Sequence, residues 1–177
     1  MIDLPAALSL RLPQLSSAAR AVVLIDGGAG SGKTTLAGLL RDAWPGNTPE
    51  LVGMDEFYPG WDGLASAASQ LPQLINGRGF TSWDWTQDRP GTWRDLDTGR
   101  ALIVEGCGAL TPASRALADL GIWLDVPEAI RRQRALARDG AMFAPHWDRW
   151  AAQEAAHWQR HQPERLADLV ITDSELD

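Results

Sequence analysis

Short apolar or β-branched runs alternate along this chain with longer segments whose apolar positions recur at helical spacing. That alternation predicts a parallel sheet joined by crossover helices. Residues 21–26, 101–105, 121–125 and 169–172 read as strands, and 51–54 is a shorter fifth run ahead of an acidic residue. Helical spacing covers 33–43, 65–75, 112–119, 127–138 and 146–161, with Pro127 suited to the first turn of its helix. From 76 to 100 neither period persists, and Gly, Asp, Arg and Trp dominate. A structureless stretch of that length predicts a functional or mobile loop. No repeat or linker interrupts the pattern, so residues 1–177 are expected to form one domain.

Composition narrows the field. With 177 residues and 45% hydrophobic content the chain can bury one sizeable core. A net charge of -7 argues against a nucleic acid polymer or an anionic membrane as main partner, so any phosphate site must be locally basic. Pro5 and Pro13 interrupt a start that lacks a signal-peptide pattern, and no window approaches a membrane span. Together with a single cysteine, Cys107, expected as a buried small hydrophobe, this leads to the expectation of a cytoplasmic protein, monomeric or homo-oligomeric.

The chemistry begins at Gly27-Gly28-Ala29-Gly30-Ser31-Gly32-Lys33-Thr34, which satisfies G-x-x-x-x-G-K-[ST] between a predicted strand and a predicted helix. Glycines let such a loop wrap a polyphosphate with its N–H groups turned inward, and the helix N-terminus adds partial positive charge. The segment through Thr35 is therefore the expected ATP site. Lys33 would reach the β- and γ-phosphates, and the Thr34 hydroxyl would be a ligand of Mg2+.

Three further features point to phosphoryl transfer. Glu105 ends a buried strand, where a carboxylate can hold Mg2+ through water or cap a turn. Asp55 follows the short second strand, where it can orient or deprotonate a hydroxyl, although Asp is also a common turn residue. Arg131, Arg134 and Arg138 are spaced i, i+3, i+7, so one helical face is basic, and Arg132 points away from it. That face is expected either to close over ATP as a lid at about 138–145 or to be a solvated surface. In the last predicted helix, His157 and His161 are i, i+4 without an H-E-x-x-H arrangement, so they are read as surface histidines; Glu154 is a candidate partner for a lid arginine.

These residues resemble the uridine kinase and nucleoside or nucleotide kinase branch of P-loop proteins. The resemblance rests on residues 25–35, Asp55-Glu56-Phe57-Tyr58, Val104-Glu105-Gly106 and the arginine-rich run to Arg138-Asp139-Gly140; Ala167-Asp168-Leu169-Val170-Ile171 is similar to the last strand of such kinases. It implies a three-layer α/β P-loop NTPase fold whose five-stranded parallel sheet, in the order 2-3-1-4-5, has helices on both faces. It also implies ATP and Mg2+ as cofactors, Asp55 acting on the accepting hydroxyl, and the lid arginines clamping ATP. The acceptor region, about 55–95, matches the family only loosely. There Asp84 and Arg89 are candidates to grip a small acceptor, with Tyr58, Trp83 and Trp85 as stacking walls; a polar loop anchored by tryptophans accounts for the same residues. A nucleoside is the favoured acceptor, a nucleoside monophosphate or another metabolite the alternative. An NTPase switch is disfavoured by the lack of N-K-x-D, and a regulatory nucleotide-binding module without turnover is the remaining reading.

Overall fold

A computed structural model describes residues 4–175. Its elements in chain order are α1 (Ala6–Ser9), α2 (Leu12–Ser17), β1 (Val22–Gly27), α3 (Lys33–Asp42), β2 (Glu50–Gly53), α4 (Leu64–Asn76), β3 (Gly79–Asp84), β4 (Arg89–Asp95), β5 (Leu102–Glu105), α5 (Pro112–Arg115), β6 (Leu120–Asp125), α6 (Glu128–Phe143), α7 (Trp147–His161), α8 (Pro163–Leu166) and β7 (Leu169–Thr172). Short 3-10 turns at Met54–Glu56, Ala144–His146 and Asp173–Glu175 complete the set.

The main sheet runs β2-β5-β1-β6-β7 and every pairing in it is parallel. Counting only strands of this sheet, that is the expected order 2-3-1-4-5. Alternate residues of β1 serve opposite faces, as a pleated strand requires. Val22 and Leu24 pack into a cluster with Leu71 of α4 and Trp147 and Trp150 of α7. Val23 and Ile25 pack on the other side with Leu8, Leu15, Leu36 and Leu40. Burial on both faces explains why the strands read as continuous apolar runs.

The stretch from 76 to 100 departs from expectation. It holds an antiparallel hairpin, β3 with β4, instead of an irregular loop. Nearly all of β4 is exposed, so its residues show no alternation for a core to impose. Arg94 holds the hairpin to the sheet. Its Nη1 donates to both carboxylate oxygens of Glu56, at 2.6 and 2.5 Å, and its Nη2 donates to the Leu51 carbonyl at 2.8 Å.

Arg94→Ala should therefore loosen the hairpin while sparing the sheet. Hydrogen exchange is expected to accelerate across 79–95 and stay unchanged in β1 and β5, with about 1–2 kcal/mol lost from the free energy of local opening of the hairpin. Protection of the hairpin equal to wild type would show that other contacts hold it.

Candidate phosphate and acceptor site

Strand β1 ends at the phosphate loop. Gly32 adopts a left-handed conformation with φ 96° and hands the chain into α3, so the loop meets a helix N-terminus. The Lys33 side chain is buried and its Nζ donates to the Gly28 carbonyl at 2.8 Å. Burial works against its positive charge, but the surrounding Cys107, Glu105, Glu154 and Asp26 outweigh that and raise its pKa. Thr34 Oγ1 donates to Glu105 Oε1 at 2.9 Å.

A cavity of about 560 Å3 opens in front of this loop. Of the expected residues, Ala29, Gly30, Gly32, Lys33, Thr34, Thr35, Asp55, Tyr58, Glu105, Arg134, Arg138 and Trp85 line it. Gly28, Ser31, Arg131, Asp84, Arg89 and Trp83 do not. Asp55 lies in the turn after β2, and partial burial followed by the charge of Glu56 raises its carboxyl pKa, while Arg138 pulls it down. Burial also raises the pKa of Glu105, against the pull of Lys33 and the Thr34 hydrogen bond.

Several side chains sit differently from the sequence expectation. Asp84 Oδ1 accepts the backbone N–H groups of Thr86 and Gln87, so it closes the turn of the hairpin. Arg89 is exposed at the start of β4. Tyr58 is buried and its hydroxyl is committed to the Cys107 carbonyl at 2.8 Å, so its ring is a wall with no free polar end. Arg131 is 5% exposed and pairs with Glu154, away from the cavity. Its neighbours on that face diverge: Arg134 pairs with Asp173 at 2.6 Å and Arg138 with Asp139 at 2.7 Å. His157, expected at the surface, is buried near Asp26 and Leu110. The segment 138–145 is mostly helical, and Gly140 breaks it with φ 51° and ψ -128°.

No protein-family model matches the sequence, and no curated protein matches it. Solved structures do. A possible uridine kinase from Bacillus stearothermophilus superposes with a TM-score of 0.58 at 21% identity, over 93% of this chain and 99% of that one. A candidate fructose transport system kinase from Silicibacter sp. TM1040 gives 0.64 at 22% identity, over 93% and 97%. The chain has a P-loop kinase-like fold.

Within that kinase-like frame the far end of the cavity is aromatic. Trp61 stacks on His146 with centroids 4.0 Å apart and planes 10° from parallel, and it packs against Phe143 and Trp85 at 5.7 and 5.2 Å. Trp85 Nε1 donates to the Asp55 carbonyl at 2.8 Å, which fixes the aromatic wall to the turn carrying the carboxylate. Trp61 and Phe143 carried no sequence signal. They come together from the turn before α4 and the end of α6, which only the tertiary fold makes adjacent.

For an Mg2+ ion the donor set fits: Thr34 and Glu105 present adjacent oxygens beside the phosphate loop, and this ion usually takes few protein ligands and several waters. Among the described residues no group of three or more His, Cys, Asp or Glu forms an all-protein cage. No helix among them is long and apolar enough to cross a membrane.

Behind the loop, Asp26 is fully buried and accepts backbone N–H groups of Gly27, Gly108 and Leu110 at 2.7, 3.0 and 2.8 Å. Burial nevertheless raises its pKa from 3.8 to about 6. The folded state thus holds this proton more tightly than the unfolded chain. The stability it contributes is full below pH 4 and is lost as pH rises through 6, about 3 kcal/mol at roughly 1.4 kcal/mol per pH unit. Urea unfolding from pH 3.5 to 7 should show this loss as a difference between the two proteins: Asp26→Asn, though less stable, should lose less stability over that range than wild type, because only the contributions of Asp55 and Glu105 remain. A parallel pH profile in the two proteins would contradict the assignment.

Proposed function

We propose that this protein transfers the γ-phosphoryl group of Mg-ATP to a hydroxyl of a small neutral metabolite, with a nucleoside as the favoured acceptor. The observation that carries this reading is the shared cavity, in which the Lys33 and Thr34 end of the phosphate loop, Glu105 and Asp55 open onto one aromatic-walled space. Phosphoryl transfer needs mainly positioning and charge neutralisation, and these groups supply both.

In this reading the phosphates lie along the loop and the Lys33 ammonium turns from the Gly28 carbonyl toward the transferring group. When bound, Mg2+ would neutralise phosphate charge beside Thr34 and Glu105. Asp55 orients the acceptor hydroxyl and takes its proton as the new O–P bond forms, and ADP leaves with the bond to the γ-phosphorus broken. Arg134 and Arg138, on the face of α6 toward the cavity, add positive charge near the transferring group. Gly140 is the break at which the end of α6 can swing as a lid; among the described residues nothing lies within 4 Å of where its Cβ would be.

The aromatic end supports a neutral acceptor with a flat or apolar body. Trp61, Trp85, Phe143 and Trp150 line it, and the basic side chains on the cavity come from the phosphate loop and α6, apart from His146. A nucleoside monophosphate would need a second anion site, which neither the hairpin nor α7 provides with a lysine or arginine on the cavity wall.

Two substitutions test the assignment. Lys33→Ala should abolish phosphoryl transfer and leave the fold intact, and full transfer activity in it would sink the reading. Asp55→Asn keeps the shape of the side chain and removes its proton acceptor. Transfer should fall by about 100- to 10,000-fold with nucleotide affinity nearly unchanged, measured by turnover and calorimetry. A collapse of ATP affinity instead would assign Asp55 to the metal or the fold.

A further inference from the structure

The phosphate loop is held from behind by a buried ion pair. Glu154 of α7 and Arg131 of α6 have side chains only 2% and 6% exposed, and Arg131 Nη1 lies 3.3 Å from Glu154 Oε2. Both reach the backbone of Ala29, each holding one of the two peptide units that meet there. Glu154 Oε1 accepts the Ala29 N–H at 2.6 Å, and Arg131 Nη1 donates to the Ala29 carbonyl at 3.2 Å. Arg131 Nε is fixed by the Val126 carbonyl at 3.1 Å, and its guanidinium lies 5.4 Å from the Trp158 ring centroid. The Cys107 thiol donates to Glu154 Oε1 at 3.2 Å.

Space in the loop is cut to fit this pair. A Cβ on Gly28 would stand 2.1 Å from Arg131 Nη1, and one on Gly30 would stand 2.1 Å from the Arg131 carbonyl oxygen. Glycines at these two positions thus admit the arginine as well as a phosphate. Ala29 lines the cavity, whereas Arg131 and Glu154 do not, so the pair does not occupy the phosphate space.

We infer that Arg131 and Glu154 are positioning residues for nucleotide binding, an inference that rests on the phosphate-loop reading above. Glu154 ties down the Gly28–Ala29 peptide through the Ala29 N–H and Arg131 ties down the Ala29–Gly30 peptide through the Ala29 carbonyl, so neither can flip, and the Ala29 N–H is turned toward Glu154. The anion site is then made by the later amides of the loop, presented in one arrangement before ligand arrives. The preceding carbonyl, of Gly28, is the one that holds Lys33, so the same clamp sets where the ammonium rests. Because Arg131 and Arg134 share α6, the clamp also fixes the base of the lid helix to the loop, leaving motion to the part beyond Gly140.

Glu154→Gln keeps an oxygen for the Ala29 N–H but removes the charge that holds Arg131; it leaves that cation buried and unpaired, a costly state. The double variant Arg131→Gln with Glu154→Gln leaves no unpaired charge at this position and is expected to fold with a melting temperature near that of wild type. Calorimetric titration with Mg-ATP well below the melting temperature is expected to give a Kd at least tenfold weaker for both variants. In turnover, KM for ATP should rise more than kcat falls. Wild-type Kd and KM in the folded double variant would overturn the inference, because a pair that only stabilised the fold would shift melting and leave nucleotide affinity alone. Absence of Mg-ATP binding by the wild-type protein would instead overturn the phosphate-loop reading, and this inference with it.

Discussion

The register of β1 between its two neighbours is the constraint on which the site depends. Against β5, Ile25 pairs with Glu105; against β6, Gly27 pairs with Leu124. These pairings bring the end of β5 to the start of the phosphate loop, so that Glu105 can accept the Thr34 hydroxyl. A slip of one residue would turn Glu105 to the opposite face and carry every apolar side chain of the strand to the wrong core. The two buried faces of β1 forbid that slip, and packing far from the chemistry thereby holds the Thr34–Glu105 pair in place. The adjacent β2 continues the same edge, since Gly53 pairs with Glu105 and the chain then turns through Asp55 into the cavity.

A second layer of support comes from buried polar groups. Asp26, Arg131, Glu154 and His157 lie beneath the loop, and all four bond to backbone of the loop or of the turn after β5. Such groups are costly to desolvate, and they persist only where backbone dipoles and opposite charges compensate. Here they fix peptide orientation, which glycine-rich sequence by itself leaves free. The loop is permissive in sequence and restrained by its surroundings.

What could be read from the sequence follows from range of interaction. The phosphate loop is a contiguous motif, and the parallel strands, buried on both faces, leave continuous apolar runs; both were legible, and so was the strand order through family resemblance. The hairpin was not, because β4 is solvent-exposed and its attachment runs through Arg94 to Glu56, far away in sequence. Arg131 was assigned to a lid from its spacing with Arg134 and Arg138. Helical spacing gives a common face but not the angular position at which a neighbouring loop meets it, and Arg131, nearest the start of α6, points beneath the loop. Asp84 shows the other ambiguity, an acidic residue in a polar segment that proves to close a turn. Glu154 as partner of an arginine on this helix was legible, while its bond to the loop was not.

The central claim is that one cavity serves both a polyphosphate and a neutral hydroxyl acceptor. Its most direct test is ATP consumption by the purified protein with Mg2+, alone and with a panel of nucleosides, free sugars, nucleoside monophosphates and small alcohols. The account predicts slow consumption alone and at least tenfold stimulation by a neutral ring-bearing alcohol, nucleosides foremost, with ADP and a phosphorylated acceptor formed in equal amounts. Consumption unaffected by every acceptor, or stimulated only by nucleoside monophosphates, would contradict it.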